Sequence, residues 1–214
     1  MSLDVRTLTV GPIAENCFLL RREGSDRALI VDPGEEPERI LALVEELGVT
    51  VEAILLTHCH FDHIGAVAPV AEATGAPVYC PAIETPILAD IMSFVPFEGF
   101  GPYESYEADE QVSGGETLEL AGLELDVIFT PGHSPGHVTY SVRGEEAIFS
   151  GDVLFQGSVG RVDLPGADGS TLIESIRSLI ESHPDETAVY PGHMGTTTLG
   201  AELASNPFLT ALAR

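Results

Sequence analysis

The stretch Ala53-Ile54-Leu55-Leu56-Thr57-His58-Cys59-His60-Phe61-Asp62-His63 decides how this chain is read. Its first four residues form a short apolar run, the pattern of a buried strand. The following residues carry three imidazoles and a carboxylate. In an extended or loop conformation, residues two apart project to the same side, so His58 and His60 can converge on one ion. Asp62 and His63 lie a step further on, where the chain turns into a helix, and can reach a second ion beside the first. Cys59 lies between the two histidines. The same alternation turns its side chain away from them, as a small buried spacer. This density of ligand-type groups at the end of a strand marks a metal site rather than a surface.

The pattern recurs downstream. Thr130-Pro131-Gly132-His133, Ser150-Gly151-Asp152 and Tyr190-Pro191-Gly192-His193 each follow an apolar run. Each places a ligand-type residue just past the C-terminal end of a strand, where loop residues from different strands can meet. The glycines permit tight turns and close approach to the site. Two histidines are left over. His137 begins the next strand and reads as a supporting group behind the ligands. His183, before Pro184, reads as a solvated residue at a helix end.

Composition narrows the function classes. The 214 residues are 44% hydrophobic, enough for one substantial core and a single domain over 1–214. Net charge is −25, with 34 acidic residues against nine arginines and no lysine. Such a surface repels nucleic acid and anionic membranes, which argues against both as partners and against a nuclease. Cys17, Cys59 and Cys80 form no disulfide framework and suit a reducing compartment. The N-terminus lacks a basic segment followed by an apolar one, and no run approaches the ~18 apolar residues of a membrane span. A cytoplasmic location is expected.

Apolar runs rich in β-branched residues predict strands at 8–10, 17–20, 28–31, 54–56, 78–80, 123–129, 138–142, 147–150 and 188–190. Helical spacing predicts helices at 38–47, stopped by Gly48, at 65–74, stopped by Gly75, and at 170–182. Two weaker helices are expected at 83–92 and from Pro207 onward. Residues 94–116 read as one long surface loop. The order, strands first and then strand alternating with helix twice, suggests two sheets with helices outside.

His58-Cys59-His60-Phe61-Asp62-His63, His133, Asp152 and His193, in that order, resemble the metallo-β-lactamase superfamily. Within it, the chain is similar to short single-domain hydrolases of the glyoxalase II type. The similarity rests on residues 130–137, 151–155 and 157–161, on residues 196–200 and on Asn206-Pro207-Phe208. The resemblance implies an α/β fold, an αββα sandwich of two mixed β-sheets packed face to face with helices on the outside. It implies that His58, His60 and His133 hold one metal, that Asp62, His63 and His193 hold a second, and that Asp152 bridges them. The implied cofactors are two divalent ions, zinc favoured, with iron or manganese also suited to histidine and carboxylate ligands. Asp62 and Asp152 would double as the catalytic carboxylates that orient an attacking water.

The implied substrate is a small-molecule hydroxyacyl thioester of the S-lactoylglutathione kind. The helical domain that helps two-domain relatives hold glutathione is not expected here, since about twenty residues follow His193. One group of metallo-β-lactamases has a cysteine near the second metal, where this chain has Asp152. Arg161 falls at a substrate-contacting position and could grip a carboxylate; equally, Arg161 and Asp163 could pair to pin their loop. Gly160-Arg161-Val162-Asp163 is also similar to persulfide dioxygenases, which use a single iron. A lactonase and a non-catalytic metal-binding member of the fold are the remaining readings.

Overall fold

The apolar runs are strands buried on both faces, with neighbouring side chains sent to opposite sides. Leu29, Val31, Ala53 and Leu55 pack toward Leu125, Val127, Tyr140 and Phe149 in a central layer. Ile30, Ile54 and Leu56 face the other way, toward Ile40, Val67 and Val70. Ile148, next to Phe149, faces Leu172, Ile176 and Leu179. Such two-sided burial explains why these strands read as continuous apolar runs.

The computed structural model describes residues 2–210. In the first half, β1 (Leu3–Val10), β2 (Glu15–Arg22) and β3 (Arg27–Val31) lead through α1 (Pro37–Leu47) to β4 (Thr50–Leu55). Two helices, α2 (Phe61–Ile64) and α3 (Val67–Thr74), follow before β5 (Val78–Pro81). Then α4 (Thr85–Leu88) and α5 (Ile91–Phe94) precede β6 (Glu110–Val112). In the second half, β7 (Thr117–Leu120), β8 (Leu123–Phe129), β9 (Val138–Val142) and β10 (Ala147–Gly151) are followed by the hairpin β11 (Leu154–Phe155) and β12 (Ser158–Val159). The chain closes with α6 (Gly169–Ser182), β13 (Ala188–Pro191), β14 (Thr197–Thr198) and α7 (Leu199–Ser205). One sheet has the order β1-β2-β3-β4-β5-β6 and the other β14-β13-β10-β9-β8-β7. Each mixes parallel and antiparallel pairs. Helices α1 and α3 cover the outer face of the first sheet, and α6 and α7 that of the second. The architecture is the expected αββα sandwich.

Strand direction places the site. β3 and β4 are parallel, so Asp32 and the 57–63 segment emerge at one edge. β8 and β10 are both antiparallel to β9, and β13 is parallel to β10. Residues 130–133, Asp152 and His193 therefore leave the second sheet at a common edge. Tyr140 joins the two sheets there: its buried hydroxyl donates to the Leu56 carbonyl at 2.9 Å, immediately before the histidine segment.

Several expectations need correction. The 94–116 loop contains β6, which pairs in parallel with β5. With Glu110 and Gln111 exposed and only Val112 buried, this edge strand has no apolar run to announce it. The 83–92 helix is two short helices, α4 and α5. The helix expected from 65 begins at Val67, after the separate turn α2; a Cβ on Gly65 would lie 2.6 Å from the Gly34 carbonyl oxygen. Residues 207–210 form turns, and the terminal helix lies earlier, as α7. Thr198 caps it by accepting from the Ala201 amide. The rest of the helix expected from Pro207 lies outside the described residues.

Tyr140→Phe removes one buried inter-sheet hydrogen bond without changing packing volume. The expected loss is about 1 kcal/mol of unfolding free energy, read from the shift in urea midpoint at an unchanged slope.

Candidate metal centre

His58 Nε2 lies 3.1 Å from His60 Nδ1, which lies 2.8 Å from His133 Nε2. These ring atoms close into a triangle at the junction of both sheets. Ring nitrogens facing one another so closely need a proton or a cation between them. The spacing is near the ~3.3 Å edge of a tetrahedron around an ion with metal–nitrogen distances of about 2.0–2.1 Å. Burial, reinforced by neighbouring imidazoles, holds His58 well below the usual histidine range. Burial and the nearby His133 bring His60 down to about 4. Both rings are thus neutral, as metal ligands must be.

A second group lies alongside. Asp62 Oδ2 is 3.3 Å from His193 Nε2 and 3.9 Å from His63 Nε2. Asp152 stands between the groups. Its Oδ1 is 3.3 Å from His63 Nε2, and its Oδ2 is 3.4 Å from His133 Nε2 and 3.6 Å from His193 Nε2. Burial would raise the Asp152 carboxyl, but His63 above all, then His133 and His193, hold it well below the usual carboxylate range. Burial would lower His63, but Asp152 and Asp62 outweigh it and raise the ring well above its ordinary value. His63 Nε2 and Asp152 Oδ1 are buried and lack a hydrogen-bond partner. Two orphaned ligand atoms facing one interior point fit a cation between them. A Cβ on Gly192 would lie 2.2 Å from Asp152 Oδ1, and one on Gly160 would lie 1.9 Å from the Asp152 carbonyl oxygen. Glycine at these two positions lets the loops close around the carboxylate.

The rings are oriented from behind. His133 Nδ1 donates to the Arg161 carbonyl at 2.8 Å and His193 Nδ1 to the Ala14 carbonyl at 3.3 Å. His63 Nδ1 donates to Asp32 Oδ2 at 3.0 Å. Asp32 also accepts the Thr57 amide at 2.8 Å and the Thr57 hydroxyl at 2.6 Å. With its proton committed to Asp32, Thr57 Oγ1 accepts from His58 Nδ1 at 3.1 Å. Each of these four rings is left with its Nε2 turned inward. Asp32 also falls with His58 and His63 in a possible ligand group, but its oxygens are engaged by these donors.

Other supporting groups complete the shell. Glu84, buried in the apolar core, accepts from Ser134 Oγ and the Gly136 amide through Oε1, and from the Cys59 amide through Oε2. It ties the ligand loops of the two sheets together. Asn16 donates to the carbonyls of Pro191 and Met194 on either side of His193. His137 is fully buried, accepts from the Asp152 amide at 3.1 Å and contacts Thr130 Oγ1 at 3.1 Å. It therefore stands behind the cluster. Glu15, whose carboxyl burial raises well above its usual range, lies 3.7 Å from His63.

Asp32, Glu84, Glu15 and Asn16 are absent from the sequence-based set. Asp32-Pro33-Gly34 carried a usable signal, because it repeats the strand-then-Pro-Gly pattern that singled out His133 and His193. Glu84 and Glu15 carried none, since a lone acid usually faces solvent. Cys59 is buried with its Sγ 3.4 Å from Cys80 Sγ, away from the ligand atoms. His183 departs from its expected solvated state. Its ring bonds to the Leu179 carbonyl and Ser141 Oγ at 3.0 Å, tying the end of α6 to β9. The Arg161 guanidinium pairs with Asp163 through two hydrogen bonds of 2.7 and 2.8 Å.

A family model described as the metallo-beta-lactamase superfamily matches residues 10–193. The chain belongs to this superfamily. It is 41% identical over 213 residues to a probable metallo-hydrolase, YqgX, of Bacillus subtilis, covering 97% of this chain and 98% of that protein. It is 33% identical over 216 residues to the hydroxyacylglutathione hydrolase GloC of Haemophilus influenzae, covering 98% and 99%. Among solved structures, BLEG-1 B3 metallo-beta-lactamase superposes with a TM-score of 0.91 at 39% identity, over 97% of this chain and all of that one. TTHA1623 in a di-iron-bound form superposes at 0.76 with 43% identity, over 95% and 100%.

Two outcomes are expected. Asp32→Asn cannot accept from all three donors, because its amide would face Thr57 or His63. Metal affinity should fall about 10–100-fold in chelator competition, with the circular dichroism spectrum unchanged. Calorimetric metal titration at pH 7 in buffers of different ionisation enthalpy should show proton release chiefly on filling the Asp62, His63 and His193 group. His63 and His193 are raised there and give up protons on binding, whereas His58 and His60 are already neutral.

Proposed function

We propose that this metallo-hydrolase family member is a thioesterase of glyoxalase II type, acting on a hydroxyacyl thioester such as S-lactoylglutathione and holding two divalent cations. The reading rests on one observation: two three-residue ligand groups, with Asp152 between them, open onto a cavity lined by His60, Asp62, Asp152 and His193. The likeness to GloC supports the thioester. The histidine-rich donor set favours zinc, and the di-iron form of TTHA1623 makes iron the alternative.

When bound, the cations would supply Lewis acidity and a water ionised near neutral pH. The chain's own residues do the rest. His58, His60 and His133 would hold one cation, and Asp62, His63 and His193 the other, with Asp152 between them. Asp62 and Asp152, both held below the usual carboxylate range, remain ionised and orient the attacking water by accepting its hydrogens. The scissile carbonyl enters from the cavity side, past His60 and His193. A thiolate leaves readily, so no proton donor need face the leaving sulfur.

A second reading is a persulfide dioxygenase. ETHE1 from Myxococcus xanthus superposes with a TM-score of 0.78 at 29% identity, over 95% of this chain and 83% of that one. Metal analysis with oxygen uptake separates the two: two metals with oxygen-independent thioester cleavage support the hydrolase, and one iron with oxygen consumption supports the dioxygenase. A lactone and a β-lactam belong in the same panel, the latter because of BLEG-1.

His58→Ala and Asp152→Ala should each reduce S-lactoylglutathione turnover by at least about 1,000-fold and lower bound metal in the same samples. Full turnover by a metal-free Asp152→Ala protein would refute the reading.

A further inference from the structure

The cavity over the metal centre, about 660 Å³, has a polar floor and apolar walls. The floor is the ligand cluster. Ile91, Phe94 and Phe97 line it, as do Phe155 on β11 and Leu164 in the segment that follows the β11–β12 hairpin. Phe94, Phe97 and Met194 are 51%, 43% and 56% exposed, although each borders the opening. Large side chains left in water around one mouth mark a surface built to be covered by a ligand.

Charge determines what that ligand is. Glutathione carries two carboxylates and an ammonium, so its thioesters need charged partners. Arg161 is the lone lysine or arginine among the lining residues. Its Nε and Nη2 donate to the two oxygens of Asp163, and its guanidinium lies 6.0 Å from the Phe97 ring centroid. An incoming carboxylate must displace Asp163 or approach beside it against its charge. The net charge of −25 opposes anions at longer range. An uncharged apolar group meets none of these penalties and covers the exposed rings.

We propose that the site prefers thioesters whose acyl and thiol parts are uncharged and apolar, such as medium-length aliphatic acyl thioesters, over those of the charged tripeptide thiol. This rests on the thioesterase reading and ranks S-lactoylglutathione, which the same chemistry cleaves, below neutral apolar thioesters. Arg161 and Phe97 form one wall of the acyl pocket, with Asp163 occupying the guanidinium face that would otherwise attract carboxylates.

The test compares kcat/KM of the metal-loaded full chain on S-hexanoyl-N-acetylcysteamine, S-lactoyl-N-acetylcysteamine, S-hexanoylglutathione and S-lactoylglutathione. With three additional carbons entering apolar walls, hexanoyl should exceed lactoyl by at least about tenfold on the neutral thiol. The neutral thiol should exceed glutathione for each acyl group, and equal rates on the two thiols overturn the thiol preference. Phe97→Ser, and separately Phe94→Ser, should shrink the hexanoyl advantage to about twofold, both positions being exposed enough to change without unfolding. Asp163→Asn should raise the glutathione-to-neutral ratio several-fold by freeing Arg161. Calorimetric binding of the uncleavable thioether S-hexyl-N-acetylcysteamine, against S-methylglutathione, supplies a readout independent of chemistry. Turnover that favours S-lactoylglutathione, with no hexanoyl advantage, overturns the pocket assignment while leaving the thioesterase standing. No turnover of any thioester, with S-hexyl binding that Phe97→Ser weakens, overturns the thioesterase reading and upholds the apolar pocket.

Discussion

The site depends on a single buried carboxyl group. Asp32 accepts hydrogen bonds from the Thr57 amide, the Thr57 hydroxyl and His63 Nδ1, and through Thr57 it sets the protonation pattern of His58. One residue thereby aims a ring from each ligand group. The backbone there has a positive φ of 50°, a conformation that aspartate tolerates better than most residues. The turn lets the carboxyl point back beneath the ligand segment. Without that anchor, two buried imidazoles could rotate their lone pairs away from the centre.

The electrostatics of the centre become coherent once the donors are assigned. His58 and His60 are kept neutral by burial and by neighbouring imidazoles, chiefly His63 for the first and His133 for the second, whereas His63 and His193 are raised by the carboxylates beside them. The carboxylates Asp62 and Asp152 are lowered despite burial. In a low-dielectric interior such a set requires counter-charge from within itself. Asp152 lies where both groups can share its two oxygens, and glycines on two sides keep it accessible to them.

The sandwich makes this concentration of polar groups possible. Its central layer is almost wholly apolar, and the ligands sit where the strands end and backbone groups are free to turn. Glu84 and Tyr140 connect the sheets close to that edge, so the ligand loops are held by buried hydrogen bonds as well as by packing. Above the ligands the character reverses. The cavity walls are aromatic and aliphatic, and the one lining arginine is already partnered. Part of the apolar wall, Ile91, Phe94 and Phe97, comes from a segment that carries no ligand, whereas Phe61, Phe155 and Met194 lie on the ligand segments themselves.

Much of this was legible in the chain. Strands buried on both faces announce themselves as apolar runs, and His58, His60, Asp62, His63, His133, Asp152 and His193 each stand just beyond one. Short-range geometry suffices for this, because local conformation dictates which way residues two apart point. Edge strands such as β6 were not legible, since half-exposed backbone pairing leaves little trace in side-chain pattern. The supporting acids were hidden for a different reason. Glu15 and Glu84 are far in sequence from the groups they approach, and their burial exists only after the sheets have packed. The same holds for the pairing of Arg161 with Asp163 under the Phe97 wall. Sequence determined the ligand types and their order along the chain. Tertiary structure decided which nitrogen of each ring faces inward and what kind of surface meets the substrate, because those depend on contacts between segments that only folding brings together.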